Sequence, residues 1–190
     1  MANNKELALW RFENLKSKDI VMMGLSTTGL GENADIIEVS IVDSNQNILF
    51  DSLIDTSVPI DRDAFFVNGL SLEDLEGKPM FSDVADKIVE TIKGKIVCFY
   101  GAGYGIRLFR QSSEAHNTVN PVNYMADVFC IQESYKDYKG EDYCPKGNSP
   151  YISLLAAAKE EGVEYAKGKK RRSLSDAMIM SRLLNQLGGN

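Results

Sequence analysis

The most informative segment of this 190-residue chain reads Met23-Gly24-Leu25-Ser26-Thr27-Thr28-Gly29-Leu30. It overlaps an apolar run over residues 20–25, and this run predicts a buried strand. Residues 27–31 contain two glycines within five positions, which is typical of a turn. The segment is therefore interpreted as the end of a buried strand together with the turn that follows it.

Two further strands are predicted directly after this segment. Residues 36–42 are rich in β-branched side chains and form the second strand. A polar hairpin turn at 44–47 leads into the third strand over residues 48–54. Three strands joined by short turns make an antiparallel meander.

The rest of the chain alternates helix and strand patterns, which favours an α/β layer fold with a mixed sheet. A polar, glycine-containing stretch over 136–149 is interpreted as a loop. Helices are predicted within 1–18, over 84–92, from 106 onward, and over 153–160 and 173–187, and strands over 95–100 and 124–129.

The composition is that of a globular protein, with 44% hydrophobic and 25% charged residues. We predict one domain over 1–190, with an N-terminal helix at about 1–18 and a core over 19–187. The net charge of −6 argues against a surface that wraps nucleic acid broadly, while a local basic groove remains compatible with it. Three cysteines without a C-x-x-C pair argue against a disulfide framework or a structural zinc site. No signal peptide or membrane span is recognisable, so a cytoplasmic location is expected.

Four ordered motifs resemble those of the DnaQ-like 3′–5′ exonucleases. Residues 23–30 resemble the family's L-D-x-E-T-T-G-L, 100–108 resemble Y-N-A-x-F-D-x-R-L, and 171–177 resemble H-x-A-L-x-D-A. Residues 66–71 and 77–81 resemble its H-G-I-T and G-K-P-T-F segments. The resemblance implies a ribonuclease H-like α/β fold, with a mixed five-stranded sheet whose first three strands are antiparallel, and with flanking helices. It also implies a DEDDh-type exonuclease that uses two Mg²⁺ or Mn²⁺ ions.

The chain departs from this family at the positions that carry the chemistry. Asp176 alone is retained among the five catalytic positions. The residues that align with the family's other four catalytic residues, Asp, Glu, Asp and His, are Gly24, Ser26, Gly105 and Arg171, and Gly101 aligns with the Asn of the second motif. The sequence therefore predicts no intact catalytic set and no metal site.

Charge balance underlies this prediction. Two divalent ions bring four positive charges and need oxygen ligands, which the single carboxylate of Asp176 cannot supply. Arg171 stays protonated and cannot accept a proton from water. Glu38 is a candidate to face the site, but it is not expected to rebuild a two-metal cluster. His116 is expected at the surface or at a helix end, where it cannot replace the missing base.

Arg171 has two alternative interpretations. In the first, it pairs with Asp176 and fills the vacated metal position. In the second, it belongs to a basic segment that binds the phosphates of a nucleic acid. The candidate nucleic-acid-binding residues are Thr27, Thr28, Lys167, Lys169, Lys170, Arg171 and Arg172.

Three further residues near the motifs are assigned provisional roles. Ser173 is predicted to be the N-cap of the last helix, whose start favours anions. Tyr100 and Tyr104 are expected in the core or the groove wall, with base stacking as the alternative.

The degenerate motifs predict a non-catalytic module that binds a protein partner or regulates a process of nucleic-acid metabolism. Metal-independent binding of single-stranded nucleic acid through the basic segment over 167–172 is the first alternative. Residual metal-dependent exonuclease activity is the second. The sequence leaves open the partner, the choice between DNA and RNA, and the oligomeric state.

Overall fold

A computed structural model describes residues 4–140, 152–165 and 170–189. Its centre is a five-stranded sheet in the order β3-β2-β1-β4-β5. The first three strands pair antiparallel, whereas β4 runs parallel to β1 and β5 runs parallel to β4. The predicted mixed five-stranded sheet is therefore confirmed. The strands are β1 (Ile20–Thr27), β2 (Ile36–Asp43), β3 (Ile48–Leu53), β4 (Ile96–Phe99) and β5 (Asp127–Cys130).

Helices cover both faces of the sheet. They are α1 (Asn4–Leu15), α2 (Arg62–Asn68), α3 (Leu72–Leu75), α4 (Phe81–Ile92), α5 (Ala102–Ala115), α6 (Ile131–Lys139), α7 (Leu154–Glu160) and α8 (Ser173–Leu187). The prediction of a loop from residue 136 onward is wrong up to Lys139, because α6 buries Ile131, Ser134 and Tyr135 against α1. Residues 141–149 of that predicted loop lie outside the described residues.

Side chains of β1 alternate between two hydrophobic clusters, as the pleat of a strand requires. Met22 and, on β4, Cys98 pack with apolar residues of α1, α6, α7 and α8. Val21 and Met23 pack on the other face with residues of α4 and α5. Because Gly24 lies two positions after Met22, it faces α8, and this alternation sets up the site.

Two smaller observations concern the remaining predictions. Cys98 and Cys130 are free thiols, and Cys144 lies outside the described residues. Within the described ranges, no helix is both long and apolar enough to cross a membrane.

Candidate functional site

A cleft of about 600 Å³ opens where β1 and β4 end beside the first turns of α5 and α8. The five positions that align with the family's catalytic residues all line this cleft, although they come from distant parts of the chain. They are Gly24, Ser26, Gly105, Arg171 and Asp176. The structure thus brings together the residues that the motifs singled out.

The backbone of α8 lies directly against Gly24. A Cβ atom built on Gly24 would lie 1.9 Å from the carbonyl oxygen of Ser173, which is far inside van der Waals contact. The hydroxyls of Ser173 and Ser40 share a 2.5 Å hydrogen bond, which holds the start of α8 on the sheet. The space that an aspartate side chain would need at position 24 is therefore filled by backbone.

Glu38 forms the most extensive polar contact of the site. Arg172 donates from Nε to both carboxylate oxygens at 2.9 and 3.0 Å, and from Nη2 to Oε1 at 2.5 Å. The Ser26 hydroxyl and the Ser173 backbone N–H donate to Oε2 at 2.7 and 2.9 Å. Burial alone would raise the pKa of Glu38, but these hydrogen bonds outweigh burial and hold the pKa below its ordinary value. Glu38 is therefore held as a carboxylate whose lone pairs are occupied.

The predicted pairing of Arg171 with Asp176 is present. Arg171 donates from Nε to Oδ1 at 3.3 Å and from Nη2 to Oδ2 at 2.5 Å. Burial raises the pKa of Asp176, and Arg171 offsets this effect only in part. Glu38 and Asp176 thus each have their own arginine.

The predicted N-cap of α8 is wrong by one residue. Arg172 is the N-cap, and Ser173 is the first helical residue. The backbone N–H of Ser173 donates to Glu38, so the anion at this helix start is a side chain of the protein itself. This contact leaves less of the helix start open to an external phosphate.

Gly105 and Gly101 have packing roles on the other side of the cleft. A Cβ atom on Gly105 would lie 2.7 Å from the Phe99 ring, so α5 can approach β4 only with glycine there. Gly101 has a φ of +92°, in the left-handed region that favours glycine, and it is the N-cap of α5.

The tyrosines near the second motif are walls of the cleft. Tyr104 bonds through its hydroxyl to the Thr27 hydroxyl and to the Gly29 carbonyl, each at 2.8 Å. Tyr100 donates to the Ile152 carbonyl at 3.0 Å. Thr28 is buried and its hydroxyl accepts the Asp35 N–H, so its proposed contact with nucleic acid is not compatible with this structure.

The basic segment is engaged within the protein wherever it is described. Lys170 donates to the Phe66 carbonyl, Arg171 pairs with Asp176, and Arg172 pairs with Glu38. Lys167 and Lys169 lie outside the described residues. Three residues of the predicted phosphate-binding segment, Lys170, Arg171 and Arg172, therefore bind groups of the protein itself.

His116 lies at the end of α5, as predicted, but its side chain is mostly buried. Its Nε2 lies 2.8 Å from Asp35 Oδ2, and the same carboxylate accepts from the Thr56 and Ser112 hydroxyls. Of the two predicted positions, surface or helix end, the structure shows the helix end, and the ring closes this buried network. Its place in that network gives it no role in the cleft.

The residues present do not fit a two-metal centre. Asp176, the carboxylate retained from the motifs, and the nearby Glu38 are each already paired with a guanidinium. Among residues 4–140, 152–165 and 170–189, no group of three or more His, Cys, Asp or Glu side chains could hold a metal ion. Two cations of like charge would have to displace both arginines before Asp176 and Glu38 could serve as ligands.

Asp176→Asn is expected to change the free energy of unfolding by no more than about 1 kcal/mol near neutral pH, because burial penalises the ionised Asp176 and Arg171 offsets this penalty only in part. Arg171 can turn to water when it loses its partner, since 37% of its side chain is already exposed. Because folding raises the pKa of Asp176, the wild type loses stability relative to the variant as pH rises above the ordinary value of 3.8. Urea unfolding at several pH values measures this difference, with Asp137→Asn as the surface control. A loss above about 3 kcal/mol, the size expected for breaking a buried pair, would contradict the assignment.

The strand order and the flanking helices define a ribonuclease H-like fold. The nuclease domain of 3′hExo, a DEDDh family member, superposes with a TM-score of 0.68 at 14% identity, over 87% of this chain and 90% of that one. Solved structures at this identity establish the fold alone. No protein-family model matches the chain.

Two sequence relatives agree with the fold and with the ordered motifs. An uncharacterised exonuclease of Escherichia phage 186 is 28% identical over 178 residues, covering 89% of this chain and 88% of the relative. The DNA polymerase III subunit epsilon of Pasteurella multocida is 26% identical over 180 residues, covering 89% and 68%. In sequence and in fold, the chain is therefore similar to the DnaQ-like 3′–5′ exonucleases.

Proposed function

We propose that the chain is a catalytically degenerate DnaQ-like protein that acts without hydrolysis, as a partner-binding or regulatory module in nucleic-acid metabolism. One observation carries this proposal: Asp176, the one retained residue of the five catalytic positions, is bound by Arg171, and the nearby Glu38 is bound by Arg172. Asp176 is the position where an active relative would be expected to bind metal ions. The two guanidinium groups occupy the oxygens of both carboxylates that a cation would need as ligands.

The arginines also remove the acid–base chemistry. A hydrolytic water must lose a proton in the reaction, and a positioned base typically contributes a factor of about 10²–10⁴ in rate. Arg171 stands at the family's histidine position and donates both of its side-chain hydrogen bonds to Asp176. A guanidinium has no free acceptor, so it cannot take up the proton.

The link to nucleic-acid metabolism and to a partner is drawn from the relatives. Their names are exonuclease and DNA polymerase III subunit epsilon, and the second name is that of a subunit. A member of this family can therefore be expected to work within an assembly. The loss of hydrolysis would leave such a binding role as the function on which selection acts.

The proposal predicts that no phosphodiester hydrolysis depends on the cleft. End-labelled single-stranded DNA and RNA would be incubated with the protein and either Mg²⁺ or Mn²⁺. Product formation by the wild type is expected to equal that of Asp176→Ala, which measures contaminating nuclease. Calorimetric titration with Mn²⁺ is expected to show no site tighter than about 1 mM, because hard cations need free oxygen ligands. Hydrolysis that Asp176→Ala abolishes would overturn the proposal.

The two alternative functions are tested in the same experiments. The hydrolysis assay shows whether the protein has residual exonuclease activity. Gel shifts at increasing salt decide metal-independent nucleic-acid binding, because phosphate contacts weaken steeply with salt. The internal partners of Lys170, Arg171 and Arg172 supply no support for this second alternative.

A further inference from the structure

We infer that the outer face of α2 docks an acidic peptide segment with apolar side chains, contributed by a partner protein. This inference rests on the proposed non-catalytic function and names the kind of partner that the module takes. The docking surface, here named the α2 patch, consists of Leu30, Phe65, Phe66 and Val67, with Arg62 and Lys170 as its two cations.

The apolar part of the patch is unusually exposed for its size. Phe65, Phe66 and Val67 are consecutive, and 42%, 56% and 50% of each is accessible to solvent. Leu30 is 77% exposed and lines the mouth of the cleft beside Val67. Exposed apolar side chains gathered in one place mark an interaction surface, because each would gain free energy by leaving water.

The helix is held in place from beneath and from its C-terminal end. Asn68, its only buried residue, donates from its side chain to the Thr27 carbonyl. Lys170 and Arg171 donate to the last-turn carbonyls of Phe66 and Val67. The three apolar side chains are therefore presented on a fixed backbone and are not needed to hold it.

Two cations, Lys170 and Arg62, flank the aromatic rings of the α2 patch and can pair with a carboxylate of a partner. Lys170 Nζ lies 5.7 and 5.6 Å from the ring centroids of Phe65 and Phe66, and the Arg62 guanidinium carbon lies 5.3 Å from that of Phe66. Neither cation forms an ion pair with a carboxylate in the described part of the chain, in contrast to Arg171 and Arg172. A carboxylate of a partner would supply the missing negative charge.

The charge pattern favours a peptide over a nucleic-acid strand. A single strand brings one negative charge per nucleotide and is usually followed by a continuous row of cations. The α2 patch offers two cations, and the exposed carboxylates of Asp61 and Asp63 stand beside them. A peptide with one or two acidic residues among apolar ones can place each acidic group against a cation. The phosphates of a nucleic-acid strand would outnumber the two cations, and some of them would lie beside the two aspartates.

Selection from a phage-displayed library of random 12-residue peptides on the immobilised full chain tests the inference. The enriched peptides are expected to combine Asp or Glu with aromatic or aliphatic residues. Synthetic copies should bind the wild type in fluorescence anisotropy. Their affinity should fall about tenfold or more for Phe66→Ala and for Lys170→Glu, since buried aromatic anchors and desolvated charge pairs dominate such interfaces.

Matched controls separate the α2 patch from general surface effects. Ile48→Ala removes an exposed aliphatic side chain of β3, and Lys87→Glu reverses an exposed cation of α4. Both variants should bind the peptides with unchanged affinity, and circular dichroism should show all four variants folded. Failure to enrich any peptide, enrichment of basic peptides, equal loss in the controls, or competition by single-stranded oligonucleotides would overturn the inference. The hydrolysis assay is independent of this result, so the two proposals can fail separately.

Discussion

Gly24→Ala is expected to lower the free energy of unfolding by about 3 kcal/mol or more, at the upper end of the range for overpacked positions. The added methyl carbon would lie 1.9 Å from the Ser173 carbonyl oxygen and 2.7 Å from its carbonyl carbon. Both atoms are backbone, so a rotamer change cannot relieve the contact. The first turn of α8 must move away from β1, and the Glu38 contact with the Ser173 N–H would be strained with it.

Urea unfolding followed by circular dichroism measures this loss, and Gly103→Ala is its control. Gly103 lies within α5, and a Cβ atom there would meet nothing within 4 Å. Because alanine is the better helix former by about 0.8–1.0 kcal/mol, the control should be at least as stable as the wild type. A Gly24→Ala variant that unfolds within about 1 kcal/mol of the wild type, the size of an ordinary substitution, would show that α8 does not press on β1.

The same contact explains why a carboxylate cannot simply be returned to the first motif. An aspartate at position 24 needs the Cβ position that α8 excludes, and one at position 105 would have to displace the Phe99 ring. The glycines at positions 24 and 105 and the close approach of α8 and α5 to the sheet thus depend on each other. A chain with all family side chains restored would have to be repacked before it could hold metal.

Much of the fold could be predicted because local patterns report it directly. The apolar run of β1 and the β-branched residues of β2 mark strands without reference to the rest of the chain. The pairing of Arg171 with Asp176 could also be predicted, since both lie at the start of one helix. By contrast, α6 was missed because its first two turns bury only three residues and its exposed face is polar.

The contacts that define the site depend on sheet register and were not readable from the sequence. Glu38 and Arg172 are 134 positions apart, and their meeting requires β2, β1 and α8 to be correctly stacked. The pairing of Ser26 with Glu38 across the strands places both side chains on the α8 face. The close approach at Gly24 involves only backbone atoms of Ser173, so no pattern of side chains in the sequence predicts this contact.

Arg172→Ala is expected to lower the free energy of unfolding by about 2–3 kcal/mol near neutral pH. Removing one partner of a buried pair typically costs about 3–5 kcal/mol, and a discount applies here because the arginine partly faces solvent. Only 6% of the Glu38 side chain is exposed, whereas the value for Arg172 is 40%. The variant would thus leave a buried carboxylate with only the Ser26 hydroxyl and the Ser173 N–H as partners.

The dependence of this loss on pH identifies Glu38 as its source. In the wild type the pKa of Glu38 lies below its ordinary value of 4.5, so ionised Glu38 stabilises the fold above that pH and stops doing so as pH falls through the folded pKa. In the variant, burial without Arg172 should raise the pKa of Glu38, so that acid relieves a penalty. The difference between the two proteins should therefore be largest near neutral pH and shrink in acid. Arg11→Ala, which removes a surface pair with Asp137, should cost at most about 1 kcal/mol. A loss for Arg172→Ala that stays constant down to acid pH would mean that the arginine acts through packing, and that Glu38 does not depend on it for its charge.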